Sequence, residues 1–221
     1  MRADLESGMR LEPRFAPIAA ELAALGRRAY DHGWVPATSG NFSAVLREEP
    51  LRLAITPSGR DKGALAPEEM LEIDAAGCVL TGSGRPSAET ALHLAVVRGV
   101  KAKAVAHTHS IWSTLVSNAH AAARGVRIEG YEMLKGLAGI AHHDHSEWLP
   151  IFENTQDWQQ GAPEVERQLA EQPGHGFLIR GHGLYTWGRD VAEASRHLEA
   201  LEFLLEAVGR RLDARSDRWQ P

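Results

Sequence analysis

The sequence predicts a single α/β domain in which helices flank a central, mostly antiparallel sheet. Short apolar runs alternate with stretches of helical periodicity, which is typical of a mixed fold. Several of these runs are joined by tight turns, and tight turns connect antiparallel strands. The 221 residues are 43% hydrophobic and contain no repeat, low-complexity tract or linker-like segment, so we expect one core.

The predicted domain spans residues 13–221, and we expect the mixed, polar residues 1–12 to form a flexible N-terminal arm. The first helix is predicted because apolar residues recur at helical spacing from Phe15 to Ala29, and Gly33 is its expected stop. The other predicted helices cover residues 87–96, 111–116, 132–137 and 191–212.

Two of these helices carry start signals. Ser87 is expected to be the N-cap of the second helix, whose buried stripe would include Ala88 and Leu92. Asp190 and Glu193 fit an acidic version of the capping box at the start of the last helix. Both assignments place polar side chains where free backbone N–H groups need acceptors.

Strands are predicted from short apolar runs bounded by turn residues. Residues 74–77 are expected to form a hairpin turn between two of these runs. The runs at 177–179 and 184–187 are expected to pair as a second hairpin. The predicted strands cover residues 42–46, 51–55, 70–73, 78–80, 105–109, 126–128, 177–179 and 184–187.

Composition argues against several classes of protein. The net charge of −5 and the pI of about 6.1 lack the basic footprint of a nucleic-acid-binding protein. No apolar run approaches the roughly 18 residues of a membrane-spanning helix, and the first residues lack the apolar core of a signal peptide. Cys78 is the only cysteine, so we expect a cytoplasmic protein without intrachain disulfides and without nucleic-acid or membrane partners.

The most informative motif is His107-Thr108-His109, which ends a short apolar run. Residues two apart on a strand point to the same face, so both imidazoles can converge on one divalent metal ion. A third histidine, His182, lies between two glycines. Three protein ligands that leave one position open are typical of a catalytic zinc ion. We therefore predict one zinc ion per subunit on His107, His109 and His182.

Three loops rich in glycine and hydroxyl side chains, at 38–41, 56–62 and 83–87, are candidates for anion binding. Glycine lets backbone N–H groups approach a phosphate, and the third loop leads into a helix N-terminus, where the dipole favours anions. Each loop alone is typical of an ordinary turn, but three beside a metal motif favour a phosphorylated substrate. The candidate phosphate-binding residues are Asn41, Ser58, Gly59, Lys62, Arg85 and Ser87.

Two glutamates are candidates for proton transfer beside the metal. Glu89 lies in the first turn of the predicted second helix, where the helix dipole alone would explain a carboxylate. Glu132 lies three residues before Lys135, and an exposed ion pair would explain it equally well. The residue pattern leaves both interpretations open.

The remaining histidines give weaker signals. His142, His143 and His145 resemble a second metal site, but histidines this dense in a loop are more often solvated, so we expect none there. His93 follows Leu92 of the predicted buried stripe and is expected to be structural. The role of the three loop histidines stays open.

In chain order, five motifs resemble those of the class II aldolase family of zinc enzymes. They are Ser39-Gly40-Asn41, Thr56-Pro57-Ser58-Gly59, Pro86-Ser87-Ala88-Glu89, His107-Thr108-His109 and Gly181-His182-Gly183. Within that family, three further segments resemble the dehydratase branch. These segments are Glu132-Met133-Leu134-Lys135-Gly136, Glu153-Asn154-Thr155 and residues 180–188.

The resemblance implies a phosphorylated ketose substrate, zinc on the three histidines, and a homotetramer with active sites near subunit interfaces. In the aldolase branch the glutamate that matches Glu89 moves the proton, whereas in eukaryotic dehydratases the one that matches Glu132 does. This chain has both residues, and its dehydratase-like segment contains Glu132. We therefore predict that Glu132 is the principal acid/base and that Glu89 supports it.

Two alternatives share this fold, because a fold alone does not fix a reaction. A sugar-phosphate aldolase or a pentulose-phosphate 4-epimerase would use the same metal site for a different bond. A non-catalytic scaffold, as in adducin-like heads, is expected to lose metal ligands, whereas this chain keeps all three histidines and both glutamates.

Overall fold

The computed structural model describes residues 12–216. Of the arm predicted for residues 1–12, only Glu12 falls within this range, and its carboxylate pairs with Arg47 at 3.1 Å. The described residues form a single α/β domain in which helices flank a nine-stranded, mostly antiparallel sheet. The predicted fold class is therefore confirmed.

Five α-helices lie in the described part of the chain, and none of them is both long and apolar enough to cross a membrane. The last helix begins as the sequence indicates: the Asp190 carboxylate accepts from the Glu193 N–H at 2.7 Å. The Glu193 carboxylate accepts in turn from the Arg189 N–H at 2.8 Å. The helices are α1 (Phe15–Asp31), α2 (Thr90–Val100), α3 (Ile111–Ala119), α4 (Trp158–Glu171) and α5 (Val191–Ser216).

The nine strands form one continuous sheet. They are β1 (Asn41–Arg47), β2 (Arg52–Ile55), β3 (Leu71–Asp74), β4 (Val79–Thr81), β5 (Ala104–Thr108), β6 (Gly125–Glu129), β7 (Ser146–Phe152), β8 (Gly176–Ile179) and β9 (Gly183–Gly188). Their order is β4-β3-β2-β1-β5-β9-β8-β7-β6, and among these pairs only β7 and β8 run parallel. Both predicted hairpins, β3–β4 and β8–β9, form.

Strand β5 lies in the middle of the sheet and ends at the histidine motif. Its His107 faces Asn41 on β1 and Tyr185 on β9 as cross-strand partners. His109 follows the end of the strand, and its N–H donates to the Trp34 carbonyl at 2.7 Å. Three neighbouring strands therefore deliver side chains to one place at the end of β5.

Each face of the sheet buries its own hydrophobic cluster. Residues of α1, α3 and α5 pack against one face, and residues of α2 and α4 pack against the other. Because side chains alternate along a strand, Ala104 and Ala106 of β5 join the first cluster and Val105 joins the second. Helices on both sides thus hold the strand that carries the histidine motif.

The start of α2 differs from the prediction. Ser87 is not its N-cap, because the helix begins at Thr90 and Glu89 holds the cap position. Ser87 lies in the preceding turn, where its Oγ accepts from the Glu89 N–H at 3.2 Å. Ala88 is exposed rather than buried, whereas Leu92 is fully buried as predicted. This extra turn leaves Glu89 beside the end of β5.

Candidate active site

Four side chains converge at the end of β5. The Nε2 atom of His109 lies 2.8 Å from Nε2 of His107 and 3.0 Å from Nε2 of His182. The Glu89 carboxylate closes the group, with Oε2 3.2 Å from His107 Nε2 and Oε1 2.9 Å from His182 Nε2. Within residues 12–216, no other cluster of three or more histidine, cysteine or acidic side chains is compact enough to hold a metal ion.

Two glycines allow the backbone segments to meet around His107. A Cβ atom on Gly183 would lie 1.9 Å from the Thr108 carbonyl oxygen, so only glycine lets β9 start this close to β5. Gly40 has a φ of +69°, and a Cβ there would lie 2.7 Å from the His107 carbonyl oxygen. These contacts explain why glycines precede Asn41 and follow His182.

The donor set fits a metal ion. His107 Nδ1 donates to the Leu184 carbonyl at 2.9 Å, which leaves Nε2 free to act as a ligand. Burial and the charges of neighbouring imidazoles lower the pKa of His109 to about 3, so its ring is neutral near pH 7. Burial opposes ionisation of Glu89, but His107 and His182 hold its pKa well below its usual range. Three imidazole nitrogens and a carboxylate are ligands that divalent transition metals accept.

A chain of buried hydrogen bonds orients the Glu89 carboxylate. Asn41 Nδ2 donates to Glu89 Oε2 at 2.8 Å and to Ser87 Oγ at 3.1 Å. The Asn41 Oδ1 atom therefore accepts from His93 Nε2, and His93 Nδ1 accepts from Ser43 Oγ at 2.7 Å. Burial lowers the pKa of His93 to about 3, which keeps the ring neutral as this pattern requires. His93, predicted to be structural, thus orients the amide that holds Glu89.

Tyr185 belongs to the site, although sequence reasoning missed it. Its ring stacks on His107 with centroids 4.0 Å apart and planes 16° apart, and Phe177 stacks on Tyr185 at 4.8 Å. Burial and the nearby Glu89 charge raise the pKa of Tyr185 well above its usual value, so the hydroxyl stays protonated. The signal that could have found Tyr185 is its place in the strand that follows His182.

Glu89, His107, His109 and His182 together form what we call the metal-competent group. The three candidate anion-binding loops meet beside it. The bond from Asn41 to Ser87 joins the first loop to the third. The second loop lies against the third because the Ser58 N–H donates to the Arg85 carbonyl at 2.8 Å. Gly59, at the tip of the second loop, is exposed. The fold therefore gathers loops that are distant in sequence into one donor-rich surface.

Lys62 is buried, unlike a lysine that contacts phosphate from the protein surface. Its side chain is 1% exposed, and Nζ donates to the carbonyls of Thr38 at 3.0 Å and Arg60 at 2.7 Å. Burial lowers the pKa of Lys62 to about 8. An ammonium group has three donors, so one remains for a further acceptor after Lys62 has tied the first two loops together.

A cleft of about 530 Å³ opens in front of the metal-competent group. This volume lies within the usual range for small-molecule sites. The lining residues are Ala88, Glu89, His109, Thr114, Asn154, Thr155, Gln156, Trp158, Gly181 and His182.

Comparison with known proteins identifies the family. The sequence profile of the class II aldolase and adducin N-terminal domain matches residues 20–208. The chain belongs to the class II aldolase family. The resemblance inferred from the five motifs is therefore confirmed.

Curated relatives within the class II aldolase family are similar over almost their whole length. The chain is 49% identical over 201 residues to a methylthioribulose-1-phosphate dehydratase from Methylococcus capsulatus, covering 90% of this chain and 96% of that protein. It is 48% identical over 198 residues to one from Sorangium cellulosum, covering 88% and 92%. An L-fuculose-1-phosphate aldolase structure from Thermus thermophilus shares the fold, with a TM-score of 0.71, 24% identity, and coverage of 94% and 100%.

Glu132 does not line the cleft in front of the metal-competent group. It begins a 3-10 helix (Glu132–Gly136), and its side chain is 71% exposed. The carboxylate pairs with Lys135 Nζ at 2.7 Å and lies 3.7 Å from His143 Nδ1. Within one chain, the structure thus brings Glu89, but not Glu132, to the metal-competent group.

Proposed function

We propose that this protein catalyses the zinc-dependent dehydration of 5-methylthioribulose 1-phosphate to 2,3-diketo-5-methylthiopentyl 1-phosphate, a step of methionine salvage. The observation that carries this proposal is the 49% identity with the Methylococcus capsulatus dehydratase across 96% of that protein. The metal-competent group, the cleft in front of it and the gathered anion-binding loops support it. A cytoplasmic location accompanies this proposal and stays a prediction.

The metal is proposed to be zinc, held by His107, His109 and His182. Three imidazole nitrogens with one further position are the ligand set of many catalytic zinc sites. Glu89 is close enough to occupy that position until substrate arrives. When bound, zinc would supply a Lewis acid that polarises the substrate carbonyl.

The phosphate is proposed to bind where the three loops meet. The Gly59 N–H and the hydroxyls of Ser58 and Ser87 provide neutral donors there, and the Asn41 amide would join them by exchanging its bond to Ser87 for one to phosphate. Positive charge comes from Lys62 and Arg85. Arg85 is exposed, and Lys62 keeps one ammonium donor free beneath the loops. This division gives one fixed cation below the phosphate and one adaptable cation beside it.

Glu132 is proposed to enter the cleft of a neighbouring subunit in a homotetramer. Helix α3 begins two residues after His109, and its Ile111 and Leu115 side chains are 72% and 48% exposed. Phe203, on the adjacent helix α5, is 51% exposed. Large apolar side chains this exposed beside a site are typical of a protein interface. A subunit that covers them could present an exposed carboxylate such as Glu132 to the metal.

The proposed reaction requires one proton removal and one proton delivery. Glu132 takes the proton from C3, the carbon next to the C2 carbonyl. The C4 hydroxyl then leaves with that proton, returned by Glu132, so that one water is lost. The resulting enol tautomerises to the 2,3-diketone. Zinc-bound histidines cannot take the C3 proton, which is why a carboxylate is required.

A parallel assay tests this proposal. The zinc-loaded protein is incubated with 5-methylthioribulose 1-phosphate, L-fuculose 1-phosphate or L-ribulose 5-phosphate, and products are identified by mass and chromatography. We expect loss of one water from the first compound and no comparable turnover of the others. Preferred cleavage or epimerisation of the other two would assign the alternative activity, and no turnover with zinc bound would favour a scaffold.

A further inference from the structure

Two histidines hold the backbone of the segment that carries Glu132. Ala138 lies two residues after the 3-10 helix, and its N–H donates to His197 Nε2 at 2.9 Å. The carbonyl of the same residue lies 2.9 Å from His175 Nε2. The two rings are 5.2 Å apart and almost perpendicular, at 89°. Both polar backbone groups of one residue are thus occupied by imidazoles.

The hydrogen bonds of His197 define its proton positions. Nε2 accepts from the Ala138 N–H, so it carries no hydrogen. Nδ1 lies 2.7 Å from the Trp187 carbonyl, which can only accept, so Nδ1 carries the hydrogen. The ring is therefore neutral. Burial and the nearby charge of His175 lower the pKa of His197, in agreement with this pattern.

His175 has the opposite requirement. Nε2 faces the Ala138 carbonyl and must donate. Nδ1 lies 3.1 Å from both oxygens of the buried Glu147 carboxylate, so it must donate as well. His175 is therefore an imidazolium ion. Burial opposes this charge, but the hydrogen bond and the charge of Glu147 raise the pKa of His175 above its usual value.

We propose that His175 and His197 are positioning residues that fix the segment from Glu132 to Ala138, one as a charged donor and the other as a neutral acceptor. A short 3-10 helix has weak hydrogen bonds of its own, so its position depends on such anchors. Leu134 and Leu137 bury the inner side of the segment and leave Glu132 projecting outward. This inference rests on the proposed function in so far as Glu132 acts on substrate.

The two charge states limit the pH range over which both anchors hold. His197 has a lowered pKa, so its anchor is lost as the pH falls through that value. His175 has a raised pKa, so its anchor is lost as the pH rises through that value. The charged and titratable groups facing the pair are His145 and Glu147 from the β7 side and Glu193 and Arg196 from α5.

Hydrogen exchange measured by mass spectrometry on the zinc-loaded protein tests the anchors directly. In His197→Phe, peptides that cover residues 131–140 should exchange about tenfold faster, because the Ala138 N–H loses its acceptor. His197→Gln should preserve slow exchange, because the glutamine Oε1 atom can replace Nε2 as acceptor. His120→Gln, outside this cluster, is the matched control. In the unaltered protein, exchange in the same peptides should rise at both pH extremes after correction for intrinsic rates.

Kinetics test the consequence for Glu132. His197→Phe should lower kcat about tenfold while KM and zinc content stay near normal, and His197→Gln should restore kcat. Unchanged exchange in His197→Phe, or flat pH dependence in the unaltered protein if that variant does not fold, would overturn the anchors. Faster exchange with unchanged kcat would overturn the positioning role. An inactive unaltered enzyme with protected 131–140 peptides would overturn the proposed function alone.

Discussion

Glu89 and Glu132, the two candidates for proton transfer, lie in very different surroundings. The Glu89 side chain is 13% exposed, and two imidazoles and one amide contact its oxygens within 3.2 Å. The Glu132 side chain is 71% exposed, and its nearest partner is a flexible, half-exposed lysine. One carboxylate is fixed by its own contacts, whereas the other is fixed only through the backbone that carries it.

This difference separates two ways of placing a reactive group. Glu89 has its full geometry within one chain, because strands β1, β5 and β9 bring its partners together. Glu132 has a defined backbone but an open side chain, and we propose that a second subunit defines what it faces. We call the group around Glu89 the inner group and Glu132 the outer carboxylate. We expect the inner group to bind the metal and the outer carboxylate to act across a subunit interface.

The largest effect is expected from His182→Ala, which removes a proposed ligand from the inner group. Zinc affinity should fall by more than about 100-fold, because even partners outside the ligand shell change affinity 10- to 100-fold. Metal analysis after chelator titration measures this loss, and activity should disappear with the metal. His120→Ala, at the end of α3, is the control and should keep its zinc. Full zinc occupancy in His182→Ala would exclude His182 as a ligand.

Glu132→Gln tests the outer carboxylate. The change preserves shape but removes the base, so kcat should fall by about 10²- to 10⁴-fold while zinc content stays constant. Glu129→Gln, at an exposed position three residues earlier, should be almost silent. Near-normal kcat in Glu132→Gln together with an inactive Glu89→Gln would reverse the two roles.

Mixed tetramers decide whether Glu132 acts within its own chain. Glu132→Gln and His182→Ala subunits are each expected to be inactive alone. If the site combines histidines of one subunit with Glu132 of another, random mixing should restore about a quarter of the sites. If both residues serve the same chain, no site contains a complete set and mixing should restore no activity.

Lys62→Met tests the buried cation beneath the anion-binding loops. The neutral side chain keeps most of the volume but loses the charge and the bonds to the first two loops. KM should rise about tenfold with a smaller change in kcat if the contact holds substrate and transition state equally. Arg60→Met, on the same loop but exposed, is the control. A fall in kcat at unchanged KM would contradict phosphate binding by Lys62.

Sequence patterns predict the elements whose buried residues follow a regular spacing along a short stretch of the chain. Strands β1, β5, β8 and β9 were expected within one or two residues, because short apolar runs define them. Strand β7 and helix α4 were not predicted, and each contains a proline, Pro150 and Pro163. Helix α4 forms because its few apolar residues pack on α2, where a Cβ on Gly99 would touch the Glu166 carbonyl at 2.9 Å.

In the candidate site, too, local sequence patterns predict some features, whereas others depend on tertiary packing. The two-residue spacing of His107 and His109 is a local strand property, so sequence predicts their shared face. The contacts of Asn41 and Tyr185 with the site depend on β1 and β9 flanking β5, an order that no local pattern specifies. In the proposed tetramer, the position of Glu132 relative to the metal depends on a second subunit, which no single-chain pattern specifies.

A buried acid on α5, Glu202, sharpens the contrast with Glu89. It is 2% exposed on α5, and its Oε1 accepts from the Thr108 hydroxyl, while Oε2 has no partner among the described residues. Without imidazole neighbours such as those of Glu89, burial raises the pKa of Glu202 to about 7. Burial in the same region therefore accompanies a raised pKa at Glu202 and a lowered pKa at Glu89, and the neighbouring groups decide the direction.

Because of this raised pKa, we expect the free energy of unfolding to fall as the pH rises. Glu202 contributes stability that is fully present below its unfolded pKa of 4.5 and is lost as the pH rises through about 7. Glu202→Gln cannot ionise, so its stability relative to the unaltered protein should rise by about 3 kcal/mol between about pH 4 and about pH 8. Urea unfolding of the zinc-loaded protein at fixed concentration measures the difference. Glu199→Gln, at an exposed position three residues earlier on α5, is the control, and equal pH slopes for both variants would contradict a raised Glu202 pKa.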